Sequence, residues 1–260
     1  MRVTISLKKS VGDNASSYYE KAKKAKKKIE GVKKAIAIAE KKIEEIKAKK
    51  IEVERRERKV KRKPNWYEKF RWFVSSEGFL CIGGRDATTN EIIIKKHTDK
   101  NDLIFHTDMA GSPFFVVKKD SVKDREIGSA TLKEVAQATA SYSRAWKLGM
   151  SSIEVFYVRP EQVSKKAKAG EYLPKGAFMI QGKTTYLKPI IELAVGICKD
   201  GSVMGGPVDA VKKNCEKFVV IQQDTRAKTS DTAKSIQKII GGEIDDIIRA
   251  LPTGGAKIKK

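Results

Sequence analysis

The sequence contains few of the residues from which metal centres and many catalytic sites are built. Its 260 residues include three cysteines and two histidines. Cys81, Cys198 and Cys215 form no CxxC pair, and neither they nor the histidines have the spacing of metal ligands. We therefore expect no metal and no cofactor. The odd number and wide spacing of the cysteines predict buried, reduced thiols of an intracellular protein.

Long apolar runs are also missing. No run approaches the roughly 18 residues that cross a bilayer, and the first ten residues lack the apolar segment of a secretion signal. Hydrophobic residues still make up 40% of the chain, which is enough for a folded core. The sequence thus predicts a cytoplasmic protein with no membrane partner.

Acidic residues are scarce relative to basic ones. Lys and Arg number 55 against 32 Asp and Glu, which gives a net charge of +23. Between residues 21 and 63 there are 20 basic and 7 acidic residues, so this one stretch carries a net charge of +13. An excess of this size and uneven placement favours a polyanionic partner such as nucleic acid.

The first quarter of the chain predicts an extended basic arm. Alternation over residues 2–7 indicates a short strand, and small and apolar residues then recur from Tyr18 to Ile46 in alternating steps of three and four. This heptad seam predicts a helix over about residues 14–47 that needs a second helix, from another copy or from its own chain. Residues 49–64 fit either a returning helix or an extended linker, and Pro64 ends them. We therefore predict two domains, an N-terminal strand and coiled-coil arm over 1–63 and a second domain over 64–260.

The remainder of the chain alternates short apolar runs with helical patterns, and strands often follow strands, which predicts the α+β class. Thr131 and Glu134 indicate a capping box at the start of a helix that ends near Gly149. The expected strands are 71–75, 79–82, 103–107, 114–118, 153–158, 177–181, 190–198, 202–204 and 218–222. The expected helices are 86–96, 131–147, 208–213, 229–240 and 243–251.

Aromatic and cationic residues are interleaved just after Pro64. Trp66, Tyr67, Phe70, Trp72 and Phe73 alternate with Lys69 and Arg71, and an exposed extended piece of this kind would suit stacked bases and phosphates. The glycine pair in Gly83-Gly84-Arg85-Asp86 stands before a helix and could turn backbone N–H groups toward an anion. The alternative is a tight strand-to-helix turn with Asp86 or Thr88 as the N-cap.

Two other places could carry chemistry or contacts. The loop over residues 159–176 is rich in Gly, Pro and Lys, so it is either an RNA-contacting loop or a charged surface loop. His106 and Asp108 would face the same side of a strand and could form an acid/base pair. No nucleophile or metal partner accompanies them, so a polar pair beside an RNA groove is favoured over an RNA-processing enzyme.

Several of these segments resemble the RNA-binding module of the NFACT family. The similar segments are WYEKFRWFVSSEGFLCIGGRDATTNEIIIKKH (66–97), HTDKNDLIFHTDMAGSPFFVVKK (97–119), RPEQVSKKAKAGEYLPKGAFMIQGK (159–183) and DDIIRALPTGG (245–255). DNASSYYEKAKKAKKKIEGVKKAI (13–36) is similar to the start of the family's coiled-coil arm. The family includes ribosome quality-control factors that extend stalled nascent chains, the nuclear export mediator factor and fibronectin-binding-protein-like proteins.

The resemblance implies an α+β RNA-binding domain after a long N-terminal coiled-coil helix. It also implies tRNA or ribosomal RNA on the large ribosomal subunit as partner, with a possible homodimer through the arm. The family's N-terminal lobe has no counterpart here, so we expect RNA binding without the elongation activity and without catalysis. The candidate RNA-binding residues are Lys69, Arg71, Trp72, Gly83, Gly84, Arg85, Asp86, Asn90, Lys95, Lys96, His97, His106, Arg159, Gln162, Lys165, Lys166, Lys168, Tyr172, Lys175 and Lys183.

Overall fold

The computed structural model describes residues 3–57, 62–165 and 173–259. Of the candidate residues, Lys166, Lys168 and Tyr172 lie outside this part of the chain. The contacts divide the chain into two compact units, Met1–Lys63 and Pro64–Lys260.

The first unit is dominated by one long helix, α1, which spans Val11–Glu57. The predicted strand before it is wrong, because residues 3–10 instead fold back onto the start of the helix. The side chain of Asn14 accepts a hydrogen bond from the Ser6 N–H at 3.0 Å and donates to the Ser6 carbonyl at 3.1 Å. The Ser10 hydroxyl accepts from the Asp13 N–H at 3.1 Å and so caps the first turn.

Helix α1 ends ten residues later than the apolar pattern predicted. Residues 49–57 continue the same helix and are neither a returning helix nor an extended linker, while 58–61 are outside the described residues. The seam becomes polar there, but Lys, Arg and Glu are good helix formers and no Gly or Pro interrupts them. At 47 residues the helix is about 70 Å long. Its seam is exposed at Tyr18, Ile29, Val32, Ile36, Ile43 and Ile46.

The second unit contains twelve short strands and six α-helices within its described residues. The strands are β1 (Arg71–Val74), β2 (Leu80–Gly83), β3 (Leu103–His106), β4 (Phe115–Lys118), β5 (Val155–Val158), β6 (Val163–Ser164), β7 (Met179–Ile180), β8 (Thr185–Leu187), β9 (Leu193–Cys198), β10 (Val203–Gly206), β11 (Cys215–Gln223) and β12 (Ala256–Ile258). The helices are α2 (Ala87–Lys96), α3 (Ser129–Ser141), α4 (Arg144–Lys147), α5 (Val208–Asn214), α6 (Thr229–Ile240) and α7 (Ile244–Ala250).

These strands form two main antiparallel sheets and one small hairpin. The larger sheet has the order β1-β2-β4-β3-β5-β8 and the smaller one the order β10-β9-β11-β12, while β6 pairs only with β7. The predicted α+β class is confirmed. Both sheets contribute to one hydrophobic core, whose largest fully buried side chains include Trp146, Phe73, Phe105 and Phe115. None of the described helices is long and apolar enough to cross a membrane.

The helix expected over 131–147 is divided into α3 and α4, and its predicted capping box is wrong. Gly128 occupies the N-cap position. Thr131 instead donates from both its N–H and its hydroxyl to a Glu77 carboxylate oxygen, at 2.9 and 2.5 Å. Glu134 accepts from the Ser76 N–H at 2.9 Å. Thr131 and Glu134 thus connect α3 to the turn between β1 and β2 through hydrogen bonds.

Candidate nucleic-acid interface

The turn from β2 into α2 is closed by its own hydrogen bonds. The Gly84 N–H donates to the Phe114 carbonyl at 3.1 Å. The N–H groups of Arg85 and Asp86 both donate to the Thr89 hydroxyl, at 2.8 and 2.9 Å, and the Thr89 N–H donates to the Asp86 carboxylate at 2.8 Å. The predicted anion site is therefore wrong, and the alternative turn with Asp86 as N-cap is the one that forms.

The two glycines of this turn allow close packing. A Cβ on Gly83 would lie 2.4 Å from the Phe115 ring, and one on Gly84 would lie 1.8 Å from Asn90 Oδ1. Asn90 is buried, and its Oδ1 accepts the Phe114 N–H at 3.1 Å. Gly83, Gly84 and Asn90 are thus packing residues, which corrects their prediction as RNA contacts.

Several predicted aromatic and cationic contacts are buried. Phe70 and Phe73 are 1% and 0% exposed, Trp72 is 9% exposed and Arg71 7%, because β1 is covered on both faces. The Arg71 guanidinium lies 4.2 Å from the centre of the Tyr142 ring, and burial lowers its pKa to about 10. The predicted roles of Trp72 in base stacking and of Arg71 in phosphate binding are therefore wrong.

The Arg85 side chain also points inward. Its guanidinium donates to the carbonyls of Lys69 (3.1 Å), Phe70 (3.0 Å) and Arg249 (2.7 Å). Burial lowers its pKa, and the three carbonyls accept hydrogen bonds from its partly exposed guanidinium. Arg85 therefore ties the β1 entry to α7 and is not the fixed anion-binding charge that was predicted.

Gln162 is occupied by its own loop. Its side-chain oxygen accepts the Arg159 N–H at 3.0 Å, and its amide donates to the carbonyls of Gln181 and Lys183, both at 2.9 Å. These bonds close the base of the segment that carries β6 and β7. Gln162 is therefore a loop-closing residue, which corrects its prediction as a contact to bases.

His106 does not form the predicted acid/base pair. Strand β3 ends at His106, so the side-chain alternation that would align Asp108 with it no longer applies. The His106 ring stacks on Phe114 with centroids 3.9 Å apart, and burial lowers its pKa to about 4. A group neutral at pH 7 with so low a pKa is poorly suited to general acid/base catalysis. His106 is partly exposed, and RNA contact by this residue stays a prediction.

The lowered pKa of His106 gives a prediction for how stability depends on pH. An unfolded histidine takes up a proton below about pH 6.5, whereas folded His106 resists protonation down to about pH 4, so protonation favours the unfolded state. We expect the wild-type protein to lose roughly 2–3 kcal/mol of unfolding free energy through this residue as the pH falls from 6.5 to 4. Denaturant titrations should show a smaller loss for His106→Phe, which keeps a ring but cannot titrate. Equal pH slopes for the two proteins would contradict the assignment.

The exposed candidate residues that remain gather along α2. At its N-terminal end, Lys175 lies close enough to Asp86 to lower the pKa of that carboxyl, after the larger effect of the Thr89 hydrogen bond. In the middle, Lys95 Nζ and Lys165 Nζ lie 2.9 and 3.6 Å from the same Glu91 carboxylate oxygen. The ten-residue helix α2 is about 15 Å long. Lysines that are far apart in the sequence therefore lie along one short stretch of surface.

An aromatic platform stands at the C-terminal end of α2. The rings of Trp66 and His97 are stacked with centroids 4.7 Å apart, and Trp66 is 49% exposed. Burial and the nearby Lys69 lower the pKa of His97, so its ring is neutral at pH 7. We name the following exposed or partly exposed residues the α2 surface: Trp66, Lys69, Lys95, Lys96, His97, Lys165 and Lys175.

The charge of the α2 surface suits an anion. It holds five lysines, and the acidic side chains near them include Asp86, Glu91 and, beside His97, Asp99. The hydrogen bond from Lys95 is the main cause of the lowered pKa of Glu91. The same hydrogen bond orients the Lys95 side chain along the helix. Lysines beside an exposed ring pair can engage phosphates and an unstacked base together.

Arg159 and Lys183 lie elsewhere, in a groove of about 1,210 Å³. Its basic lining residues are Lys100, Lys119, Lys123, Arg159 and Lys183, and its acidic ones are Asp102, Asp120, Asp124 and Glu126. Opposite charges nearly cancel there, so the groove attracts a polyanion less than the α2 surface does. The structure thus separates the predicted site residues into two groups.

The sequence analysis included Trp66 among the candidate rings but selected Trp72 as the RNA-binding residue. The available signal was position: Trp66 stands between Pro64 and the apolar strand, in a turn rather than in the sheet. Trp72 lies within a strand whose alternation would normally leave one face exposed, but here both faces are packed.

An antiparallel α+β domain with lysines and stacked rings along one helix has the features of a nucleic-acid-binding domain. Residues 69–182 match the family model described as the NFACT protein RNA binding domain. The chain is 44% identical over 210 residues to the archaeal Rqc2 homolog aRqcH of Methanocaldococcus jannaschii, covering 78% of this chain and 31% of that protein. The chain belongs to the NFACT family.

Animal proteins are also similar to this chain. The ribosome quality control complex subunit NEMF of Homo sapiens is 39% identical over 180 residues, which are 68% of this chain and 16% of that protein. The Drosophila melanogaster homolog is 38% identical over 200 residues, or 75% of this chain and 20% of that protein. The chain therefore spans about a third or less of the length of these relatives.

Proposed function

We propose that this chain binds RNA through the α2 surface, and that it does so on cytoplasmic ribosomes as part of ribosome quality control. The main observation that supports this proposal is that the five lysines of this surface fall within residues 69–182, the region matched by the RNA-binding family model. The names of the relatives, which include subunits of the ribosome quality control complex, support the setting. tRNA or ribosomal RNA of the large subunit is the proposed partner.

The proposed mechanism combines charge and stacking. Phosphates displace condensed counterions when they contact lysines, which makes affinity depend steeply on salt. The Trp66–His97 pair offers a face for an unstacked base, and such stacking tolerates any base. If the whole chain engages roughly six to ten phosphates, affinity should fall by about 10³- to 10⁵-fold between 50 and 200 mM salt.

The experiment is co-sedimentation with purified large ribosomal subunits at increasing salt, with tRNA or deproteinised ribosomal RNA as competitor. We expect the chain to pellet with the subunits at low salt, to be released as salt rises and to be displaced by at least one of the two RNAs. RNA recovered from the pellet should be unchanged in length, because binding and not cleavage is proposed. Binding that is flat with salt would contradict the proposal.

We also propose that the two compact units act as an arm (1–63) and an RNA-binding domain (64–260), and that the arm forms a homodimer. The seam residues Ile29, Val32, Ile36 and Ile43 are each more than half exposed, so a second helix would remove apolar surface from water. Small-angle scattering with light scattering should show a dimeric mass at micromolar concentration. The double substitution of Val32→Asp and Ile36→Asp should yield a monomer. A wild-type protein that is itself monomeric would contradict this part of the proposal.

A further inference from the structure

A cavity of about 340 Å³ opens at the N-terminal end of α2. Its walls include Asp86, His106, Phe114, Tyr142 and Phe178. The rings of Phe178 and Phe114 pack edge to face with centroids 5.3 Å apart, and the His106 ring stacks on Phe114. Apolar walls with a few polar groups are typical of small-molecule sites, and the volume is at the lower end of their range of about 300–1,000 Å³.

Lys175 lines this cavity, and Lys165 lies beside its Phe178 wall. Lys165 Nζ lies 5.1 Å from the centre of the Phe178 ring and donates to the carbonyls of Pro174 and Ala177 at 3.0 Å. Lys175 is exposed and lines the cavity beside Asp86. A flat aromatic ligand entering between these groups would have its apolar faces against Phe178 and any attached phosphate beside lysines.

Asp86 supplies a fixed acceptor inside the rim. One of its carboxylate oxygens is used by Thr89, and the group stays ionised at neutral pH because the Thr89 hydrogen bonds lower its pKa. The second oxygen can accept a hydrogen bond from an exocyclic amino group. Such a group is present on adenine, guanine and cytosine, but not on uracil or on the sugar-phosphate backbone.

We propose that this cavity takes one unstacked nucleobase of the bound RNA, with the adjoining phosphate held by Lys175 and further attracted by the charge of the nearby Lys165. The proposal rests on the RNA-binding function proposed above and adds a defined base site to it. Because Lys165 and Lys175 also belong to the α2 surface, the strand would run from the aromatic platform at one end of α2 to the cavity at the other.

The test uses the full chain, nucleoside monophosphates and a single-stranded RNA. Ligand-detected NMR should show saturation transfer to the base protons of AMP, GMP or CMP, and none to ribose 5-phosphate. Ala110→Trp fills the cavity from an exposed wall position, and Phe178→Leu removes the ring while keeping apolar volume. Each variant should abolish the nucleotide signal and weaken RNA binding by about 5- to 100-fold, the range expected for one lost base stack.

The outcomes separate the two proposals. If Ala110→Trp and Phe178→Leu bind RNA as the wild type does and no nucleotide signal appears, the base site is overturned while RNA binding stands. If the wild type binds no RNA, the proposed function has failed. Lys95→Glu with Lys96→Glu is the matched comparison, because it should weaken RNA binding and leave the nucleotide signal unchanged.

An independent observation concerns two cysteines. Cys198 at the end of β9 and Cys215 at the start of β11 are Cα partners across neighbouring strands, and their Sγ atoms are 3.3 Å apart. Both are partly exposed, whereas Cys81 is fully buried. The prediction of buried thiols is thus confirmed for Cys81 alone. The proximity of Cys198 to Cys215 was not predicted, because the two residues are far apart in the sequence.

We infer that Cys198 and Cys215 form a disulfide when a small-molecule disulfide such as oxidised glutathione is present. Directly opposite residues of antiparallel strands have Cα atoms about 4.5–5.5 Å apart, within the range that disulfides span. One thiolate attacks the oxidant and releases a glutathione thiolate, and the second thiolate then attacks the mixed disulfide and releases another. Two protein thiols are oxidised, one disulfide is reduced and the two thiol protons pass to the released glutathione.

Thiol counting after treatment with oxidised glutathione tests this inference. In denaturant the count should fall from three to one, and the mass should fall by about 2 Da with no glutathione attached. Cys81→Ser should lose both of its thiols, whereas Cys198→Ser should form no internal bridge. A wild-type count that stays at three, or a wild type that keeps glutathione, would overturn the inference.

Discussion

Replacing four lysines of the α2 surface by glutamate is expected to lower RNA affinity by about 10²- to 10³-fold at 100 mM salt. Each replacement removes a phosphate partner and places a repelling carboxylate there. The slope of log affinity against log salt should also become shallower by about one for each lost contact. The positions are Lys69, Lys95, Lys96 and Lys175, all exposed, so the domain should remain folded. Fluorescence anisotropy with large-subunit ribosomal RNA fragments or tRNA gives both quantities.

A matched control separates local contact from total charge. Four other exposed lysines belong to helices that pack on the smaller sheet, Lys212 and Lys213 on α5 and Lys234 and Lys238 on α6. Their replacement by glutamate changes the net charge of +23 by the same amount. We expect a loss of affinity of less than about tenfold, because the contacted phosphates lie elsewhere. Equal losses in the two quadruple variants would show that net charge alone determines binding.

Gly84→Ala is expected to lower the free energy of unfolding by about 3 kcal/mol, which corresponds to a fall in melting temperature of about 6–12 °C. The new Cβ would lie 1.8 Å from Asn90 Oδ1 and 2.7 Å from Asn90 Cγ. Asn90 cannot move without giving up the hydrogen bond that it accepts from the buried Phe114 N–H, which adds the cost of an unpaired buried group. Thermal and denaturant unfolding measure the change.

A double-mutant cycle tests whether Asn90 is the cause. Asn90→Ala removes the two side-chain atoms nearest to the added methyl group, so Gly84→Ala should cost less than about 1 kcal/mol in that background. The coupling between the two positions should be about 2 kcal/mol. A Gly84→Ala protein that melts within about 1 °C of the wild type, or a cycle without coupling, would contradict this account of the turn.

Much of the fold could be predicted from local patterns. The helix over Thr229–Ile240 has both of its predicted ends, and the predicted strands of the larger sheet begin or end within a residue or two of the observed ones. Strands β6, β8 and β12, of two or three residues, were missed because so short a segment shows no periodicity. The length of α1 was underestimated because helix propensity continued where the apolar seam stopped.

The candidate site was predictable in its lysines but not in its rings and turns. Charged residues such as Lys95 and Lys96 remain exposed in almost any fold, so composition found them. Whether Trp66 or Trp72 is accessible depends on what covers β1, and whether Gly83-Gly84 binds an anion depends on the distances to Phe115 and Asn90. These properties depend on tertiary packing, which local patterns in a single sequence do not predict.

The most direct test of RNA binding by the α2 surface is ultraviolet crosslinking of the full chain to large-subunit ribosomal RNA or tRNA, with the crosslinked peptides located by mass spectrometry. The account predicts crosslinks in peptides that contain Trp66, Lys95 to His97 and Lys175. Crosslinks confined to α1, or to peptides from α5, α6 and β11, would contradict it.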